Sequence, residues 1–241
     1  MDQLLHCKEL TKKFGGLTAV NNLTFSLTKN EVLGIIGPNG AGKTTVINLI
    51  SGMYPPTSGT IYFDGRRIDG LPPNVISKLG IARTFQIPRP FKNLTVFQNL
   101  LVGAINAGGL SGLSAREEVE KVLDIIGLSE KRNLPAGSLT LAELRRLEIG
   151  RALTIKPKLL LADETAAGSR EKEIKELLSL FEMLKERGLS IILVEHVMAF
   201  LMKVAERVVV MNLGEKIAEG TPEEISKNSK VIEVYLGKRG T

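Results

Sequence analysis

The feature that most constrains the fold is a glycine-rich run that lies between an apolar segment and a helical one. The run matches the pattern GxxxxGK[ST] and consists of Gly37, Pro38, Asn39, Gly40, Ala41, Gly42, Lys43, Thr44 and Thr45. The aliphatic segment Val32–Ile36 precedes it and predicts a buried strand, and residues 46–51 predict a helix. Because the pattern requires this strand–loop–helix order, we predict an α/β core that binds a nucleoside triphosphate, either ATP or GTP.

The residue types in this run account for how it would bind phosphate. Glycines allow successive backbone N–H groups to converge on phosphate oxygens, and the following helix directs its positive end at the same anion. We expect Lys43 to reach the β- and γ-phosphates and Thr44 to hold Mg²⁺. A chance glycine-rich turn is the alternative, and the presence of every fixed position in the right setting argues against it.

Other segments predict how the rest of the chain is organised. The short aliphatic runs 159–161, Ser190–Val194 and 208–211 are typical of buried strands in a mostly parallel sheet. Residues 23–27 and 60–63 alternate apolar with polar side chains, which predicts a small antiparallel sheet. The further predictions are a turn at Asp64-Gly65, a helical insertion over about 88–153 with a helix at 115–126, and a helix starting at Thr221-Pro222.

Two acidic residues and one histidine follow predicted strands. Asp163 and Glu164 end the apolar run that begins at Leu159, and His196 comes shortly after Ser190–Val194. Because parallel strands end at one edge of a sheet, these side chains are expected near the phosphate loop. Asp163 would then support Mg²⁺, and Glu164 would face the attacking water. His196 would reach a γ-phosphate oxygen and hold Glu164 and the water in line. Taken singly, the acids also suit a solvated turn and the histidine a structural role.

Composition limits the classes of partner. With 241 residues and 43% hydrophobic content, the chain is large enough to form a buried core. Cys7 is the only cysteine, so no intramolecular disulfide is possible. The net charge is +6, but Lys and Arg are scattered among acidic residues, which argues against a nucleic-acid partner. No apolar run approaches the roughly 20 residues of a membrane helix, so we expect a soluble chain whose membrane role needs partners.

Taken together, these motifs resemble a known family. The phosphate loop, Gln86, residues 139–143, Asp163-Glu164 and His196 resemble, in order and spacing, the ATP-binding subunits of ABC transporters over almost the whole chain. Residues 80–86, 90–96 and 231–237 are similar to the ATPases of branched-chain amino-acid importers. The resemblance implies a P-loop NTPase (RecA-like) parallel-sheet core with an antiparallel β subdomain and an inserted α-helical subdomain. One nucleotide-binding domain would span 1–241, with a helical tail over about 221–241.

The same resemblance implies a function and partners. The chain would hydrolyse ATP, with Mg²⁺ as cofactor, to energise an importer of branched-chain amino acids. It would lie on the cytoplasmic side of the cell membrane as a peripheral subunit. Its partners would be a second ABC ATPase in a heterodimer, integral membrane permease subunits and, indirectly, a substrate-binding protein. The alternatives are a regulatory nucleotide-binding subunit and the ATPase of an exporter or lipid transporter.

Two further residue roles are implied by the family alone. Phe14 would stack on adenine, since an aromatic face can cover a base with little demand for hydrogen bonds. A phenylalanine of the core is the competing interpretation. Gln86 would contact Mg²⁺ or the attacking water, at the joint with the helical insertion, where the nucleotide state is passed to a membrane partner.

The chain departs from the family at the signature segment. The family has Leu-Ser-Gly-Gly-Gln, whereas this chain has Leu139, Thr140, Leu141, Ala142 and Glu143, ahead of a helix predicted over 144–153. In the family this segment meets the γ-phosphate held by the opposite subunit, so the Glu143 carboxylate adds repulsion that Arg145 and Arg146 would offset in part.

The turn after Glu164 is also unusual. The family commonly has a proline directly after the glutamate, whereas residues 165–170 of this chain begin with Thr165. From Glu143 we expect weaker cross-subunit binding, and from the changed turn we expect altered communication between the two sites. The site built on Lys43 and Glu164 would stay active, and the weakened signature would act on the ATP of a different partner subunit.

Overall fold

The computed structural model describes residues 2–236, which form two β-sheets and a helical region. The strands are β1 (Gln3–Phe14), β2 (Leu17–Thr28), β3 (Val32–Ile36), β4 (Ser58–Phe63), β5 (Arg66–Arg67), β6 (Ile81–Arg83), β7 (Leu159–Asp163), β8 (Ser190–Val194), β9 (Arg207–Asn212) and β10 (Glu215–Gly220). The helices are α1 (Lys43–Ile50), α2 (Pro73–Lys78), α3 (Val96–Asn106), α4 (Gly112–Ile125), α5 (Leu141–Leu153), α6 (Glu171–Glu186), α7 (Met198–Val204), α8 (Pro222–Lys227) and α9 (Ser229–Leu236).

The central sheet has six strands in the order β10-β9-β3-β8-β7-β6. All neighbours in it pair in parallel except β10, which is antiparallel to β9 at the edge. Both faces of β3 are covered, because Val32 and Ile36 pack into one hydrophobic cluster while Leu33 and Ile35 pack into the other. Burial on both faces explains why these strands read as continuous apolar runs, and it confirms the predicted parallel core.

The second sheet is antiparallel, with the order β2-β1-β4-β5. It packs over α1, whose residues Val46 and Ile50 belong to the same cluster as Leu5 and Phe25. The predicted turn at Asp64-Gly65 joins β4 to β5, and both residues have positive φ, 48° and 77°. The antiparallel sheet is therefore confirmed, but it also contains the long strand β1, which the pattern did not indicate.

The helical region contains α3, α4 and α5. The helix predicted over 115–126 is α4 (Gly112–Ile125), which begins three residues earlier than expected. The helix predicted over 144–153 is α5 (Leu141–Leu153), so its start was placed wrongly. Thr140 is the N-cap of α5 and accepts a hydrogen bond from the Glu143 N–H, which draws residues 141–143 into the first helical turn.

The C-terminal part begins as predicted at Thr221. The Thr221 hydroxyl accepts from the Glu224 N–H, and the Glu224 carboxylate accepts from the Thr221 N–H, which forms a capping box with Pro222 at the first helical position. The helices α8 and α9 follow, and residues 237–241 of the predicted tail lie outside the described residues. Within residues 2–236, no helix is both long and apolar enough to cross a membrane.

Candidate functional site

The glycine-rich loop joins β3 to α1 at the carboxyl edge of the central sheet. The helix α1 begins at Lys43, three residues earlier than predicted, so Lys43 and Thr44 lie in its first turn. Gly42 is its N-cap, with φ of 99°, and a Cβ there would collide with the carbonyl oxygen of Ala19. Since an L side chain is strained at this φ and has no space, glycine is required at this position.

A cavity of about 470 Å³ opens over this loop. It is lined by Phe14, Leu17, Thr18, Ala19, Asn39, Gly40, Ala41, Gly42, Lys43, Thr44, Thr45, Glu164, His196 and Leu213. Phe14 is 41% exposed and packs edge-on against Tyr54 with ring centroids 5.4 Å apart, so the alternative that it belongs to the core is wrong. Two predicted loop residues, Gly37 and Pro38, do not line the cavity, but their carbonyl oxygens accept hydrogen bonds from Lys43 Nζ.

The Lys43 ammonium is buried inside the loop. Its Nζ donates to the carbonyl oxygens of Gly37 at 2.8 Å and Pro38 at 3.0 Å. Burial lowers the pKa of Lys43, and the charges of Glu164 and Asp163 oppose this shift. The ammonium is therefore held by carbonyl oxygens of the phosphate loop, with two carboxylates near enough to act on its charge.

Two side chains from separate segments, Gln86 and His196, meet at the Glu164 carboxylate. The Gln86 side-chain amide donates to Glu164 Oε2, and His196 Nε2 lies 2.9 Å from Glu164 Oε1. The backbone supports this position, because the Glu164 N–H donates to the carbonyl oxygen of Val194 at 2.8 Å, although Glu164 itself has φ of 52°. A glutamate held in the left-handed region is uncommon, and such strain concentrates at functional sites.

Asp163 lies beside Glu164 at the end of β7 but is almost fully buried. Its Oδ2 is 3.4 Å from Arg83 Nη2, and its Oδ1 is buried with no hydrogen-bond partner among residues 2–236. Burial raises the pKa of Asp163, and Arg83 opposes this shift. An unpaired carboxylate oxygen is the type of ligand that Mg²⁺ prefers, so Asp163 fits this ion. Magnesium sites usually need only one or two carboxylates together with substrate phosphates.

The signature segment 139–143 lies at the start of α5, away from the cavity. The Glu143 carboxylate accepts from the Thr140 N–H at 3.0 Å, and its other oxygen is 2.5 Å from Lys131 Nζ. Although burial opposes it, the hydrogen bonds from Lys131 and Thr140 lower the pKa of Glu143. The carboxylate is thus paired within its own chain.

Arg145 and Arg146, which we expected to offset part of the charge of Glu143, have partners elsewhere. Arg145 donates to Ser169 Oγ at 2.6 Å and to the Ala167 carbonyl oxygen, while Arg146 lies 3.9 Å from Glu176. The first of these contacts joins α5 to the unusual turn that follows Glu164. Within one subunit, α5, which begins in the signature segment, therefore contacts the unusual turn.

Several residues at this site escaped prediction. Leu17, Thr18, Ala19 and Leu213 line the cavity, although they come from the β1–β2 hairpin and the β9–β10 turn. Arg83 lies in the run 80–86, which carried the family resemblance, but its pairing with Asp163 depends on the parallel register of β6 and β7. No local pattern indicates contacts of this kind, since they join segments that are distant in the chain.

Comparisons of the sequence identify related proteins. A family model described as ABC transporter matches residues 20–167, and one described as branched-chain amino acid ATP-binding cassette transporter matches residues 215–241. The high-affinity branched-chain amino acid transport ATP-binding protein BraF of Pseudomonas aeruginosa is 42% identical, with 98% of both chains covered. LivG of Escherichia coli, described in the same words, is also 42% identical over 98% of both chains.

Solved structures agree with these relatives. The ADP conformation of MJ1267, an ATP-binding cassette of an ABC transporter, has a TM-score of 0.89 at 33% identity and covers 99% of this chain and 100% of its own. A dimeric structure of MJ0796, a bacterial ABC transporter cassette, has a TM-score of 0.81 at 26% identity and covers 91% of this chain and 99% of its own. The P-loop NTPase fold predicted from the sequence is confirmed by these similarities.

Proposed function

Since this chain belongs to the ABC transporter family as an ATP-binding subunit, an ATPase that energises transport, we propose that it drives the import of branched-chain amino acids. Two observations support branched-chain amino acids as the cargo. Relatives described as branched-chain amino acid transport ATP-binding proteins match 98% of the chain, and the branched-chain family model matches residues 215–241. No residue of the nucleotide site need touch the cargo, so the assignment depends on these relatives.

The observation that supports ATP hydrolysis at this chain's own site is the meeting of Gln86, Glu164 and His196. In the mechanism we propose, Glu164 orients the attacking water and accepts its proton. His196 and Gln86 hold the Glu164 carboxylate at its two oxygens and so fix its direction. The Lys43 ammonium, which already lies within the loop, donates to phosphate oxygens where negative charge develops.

The metal site is part of the proposal. Asp163 Oδ1 and the Thr44 hydroxyl are the ligands we assign to Mg²⁺, with Gln86 as a third, and all three supply oxygen. When bound, the ion neutralises charge on the β- and γ-phosphates. Phe14 would cover the adenine ring at the rim of the cavity, where its exposed face is available for stacking.

The assembly we propose is a heterodimer with a second ABC ATPase, docked on membrane permease subunits at the cytoplasmic side. Dimeric cassettes of this fold support the dimer. Support for two different subunits comes from the changed signature at Leu141, Ala142 and Glu143, because a homodimer would repeat the change at both sites. A substrate-binding protein would deliver the cargo to the permease.

Uptake of labelled leucine, isoleucine and valine tests this function directly. Cells that lack the chain should lose high-affinity uptake, and the wild-type chain should restore it, while Lys43→Ala should not. Lys43→Ala removes the ammonium group that would donate hydrogen bonds to phosphate oxygens, so purified protein should also lose Mg²⁺-ATP turnover. Suppose that cells without the chain take up all three amino acids normally, while the purified chain shows Lys43-dependent ATP turnover. The chain would then still be an ATPase, but the assignment of branched-chain amino acids as its cargo would be wrong.

The changed signature also favours a second candidate, a regulatory subunit that binds ATP but hydrolyses it slowly. Single-turnover hydrolysis of ATP by the chain together with its partner ATPase distinguishes a transport motor from a regulatory subunit. A transport motor should hydrolyse the ATP bound at Lys43 in a Glu164-dependent step. A regulatory subunit should retain that ATP while hydrolysis occurs at the partner's site.

A further inference from the structure

Arg83 lies where β6, the C-terminal part of α1 and the end of β7 meet. It ends β6, at the edge of the central sheet, and only 12% of its side chain is exposed. Its Nη1 donates to Asn48 Oδ1 at 2.6 Å and to Ser51 Oγ at 3.3 Å, while its Nη2 faces Asp163 Oδ2 at 3.4 Å. One guanidinium therefore connects the helix that follows the phosphate loop to the strand that ends in Asp163.

These partners belong to the segments that carry the proposed magnesium ligands. Asn48 comes four residues after Thr44 on α1, so the two residues lie on the same face of the helix. Asp163 is itself a proposed ligand, and Gln86 follows Arg83 by three residues. A displacement of the guanidinium would consequently affect three segments at once.

The contact also determines which oxygen of Asp163 is free. A carboxylate can rotate and offer either oxygen, but Arg83 engages Oδ2 and leaves Oδ1 buried without a partner in the described chain. The planar guanidinium can serve Asn48, Ser51 and Asp163 simultaneously because its donors form a rigid fork. A lysine ammonium at the same place would carry the charge but lacks the planar fork that bridges α1 and β7.

We propose that Arg83 is a positioning residue for the magnesium site, and that it fixes the Asp163 carboxylate and α1 at the spacing that the ion requires. The inference rests on the proposed ATP and Mg²⁺ site. A purely electrostatic role for Arg83 predicts instead that Arg83→Lys, which keeps the positive charge, binds as the wild-type chain does.

The test is equilibrium binding of a fluorescent ATP analogue, measured in EDTA and in Mg²⁺, for the wild-type chain and for Arg83→Met. Groups that orient metal ligands typically contribute about 10–100-fold in metal affinity, so Arg83→Met should weaken binding in Mg²⁺ by that order. Binding in EDTA should change little, because the phosphate loop is untouched. Arg67→Met, which removes an exposed arginine paired with Asp69, is the matched control and should behave as wild type.

Two further variants distinguish a positioning role of Arg83 from an effect of its charge and from misfolding. Arg83→Lys keeps the charge and should remain nearly as defective as Arg83→Met. Asn48→Ala keeps Arg83 but removes its anchor on α1, and it should give a smaller loss in the same direction even if Arg83→Met proves too unstable to assay. Thermal unfolding of each variant identifies losses that arise from misfolding.

The outcomes are distinguishable. If Mg²⁺ has no effect on nucleotide binding by the wild-type chain, the proposed metal site itself is wrong. If the wild-type chain responds to Mg²⁺ but Arg83→Met responds equally or more strongly, or if Arg83→Lys restores wild-type binding, the positioning role of Arg83 is overturned.

Discussion

The carboxyl edge of the central sheet and the start of α5 use their polar groups in different ways. At the sheet edge, Glu164, Gln86 and His196 come from three distant segments and meet beside a cavity. At the start of α5, Thr140 and Glu143 bond to each other within one turn, and Lys131 pairs with the carboxylate from nearby. The first region joins side chains from distant segments beside an open cavity, whereas the second pairs its polar groups within one helical turn and with a nearby lysine.

This difference changes the interpretation of the altered signature. A free carboxylate at Glu143 would repel a phosphate presented by another subunit, but here Lys131 offsets its charge and the helix N-terminus stabilises it. The signature segment still leads into α5, and Thr140 caps the N-terminus of this helix. Glu143 is consequently a smaller obstacle to cross-subunit binding than its charge alone suggests.

The largest effect that would sharpen the comparison is expected at the sheet edge. His196→Ala removes one of the two groups that hold Glu164. Because a general base contributes about 10²–10⁴-fold, a base that has lost its orientation should cost about 10²-fold in turnover. We expect ATP turnover to fall by about that factor while nucleotide affinity changes little, measured by steady-state kinetics and equilibrium binding.

The chain supplies its own control for this variant. His6 is its only other histidine and lies on β1, where it contacts Gln3 and not the cavity. His6→Ala should therefore retain wild-type turnover. Equal rates for wild type and His196→Ala would mean that the contact with Glu164 has no part in the reaction.

A smaller effect is expected at the rim of the same cavity. Phe14→Ala removes the exposed ring, and aromatic stacking contributes about 0.5–1.5 kcal/mol beyond the burial of area. The affinity for ATP should fall several-fold, with the turnover of bound ATP unchanged. Phe91→Ala, which removes a similarly exposed ring outside the cavity, is the comparison variant, and an equal loss in both would argue against stacking on adenine.

The smallest effect is expected at the start of α5. Glu143→Gln keeps an oxygen for the Thr140 N–H but loses the charge that pairs with Lys131, a partly exposed ion pair worth about 0.2–1 kcal/mol. The free energy of unfolding at pH 7 should fall by that amount, measured by urea denaturation. Lys131→Ala should give a similar loss.

The pH dependence of this loss follows from the pKa of Glu143. Its pKa is lowered in the folded chain, so the ionised carboxylate stabilises folding above the ordinary glutamate pKa of about 4.3, and this contribution disappears as the pH falls through the lower folded value. The difference between wild type and Glu143→Gln should therefore shrink on acidification below about pH 4. A difference that stays constant over this range would contradict the ion pair.

The same two regions differ in how much of their structure could be predicted from the sequence. The phosphate loop and the strand ends at Asp163 and Val194 were predictable, because short-range spacing encodes a strand followed by a turn, although α1 begins three residues earlier than predicted. The start of α5 was placed three residues late, although Thr140 and Glu143 form the spacing of a capping box. The pairing of Arg83 with Asp163 and of Lys131 with Glu143 could not be predicted, since each depends on how separate elements pack.

The central claim is that this chain's own site hydrolyses ATP with Glu164 as the group that activates water. The most direct test is single-turnover hydrolysis of γ-labelled ATP, with protein in excess and Mg²⁺ present, by wild type and by Glu164→Gln. Removing a general base typically costs about 10²–10⁴-fold, so the variant should bind ATP but release labelled phosphate slower by that order. Release at the wild-type rate by Glu164→Gln would contradict the account.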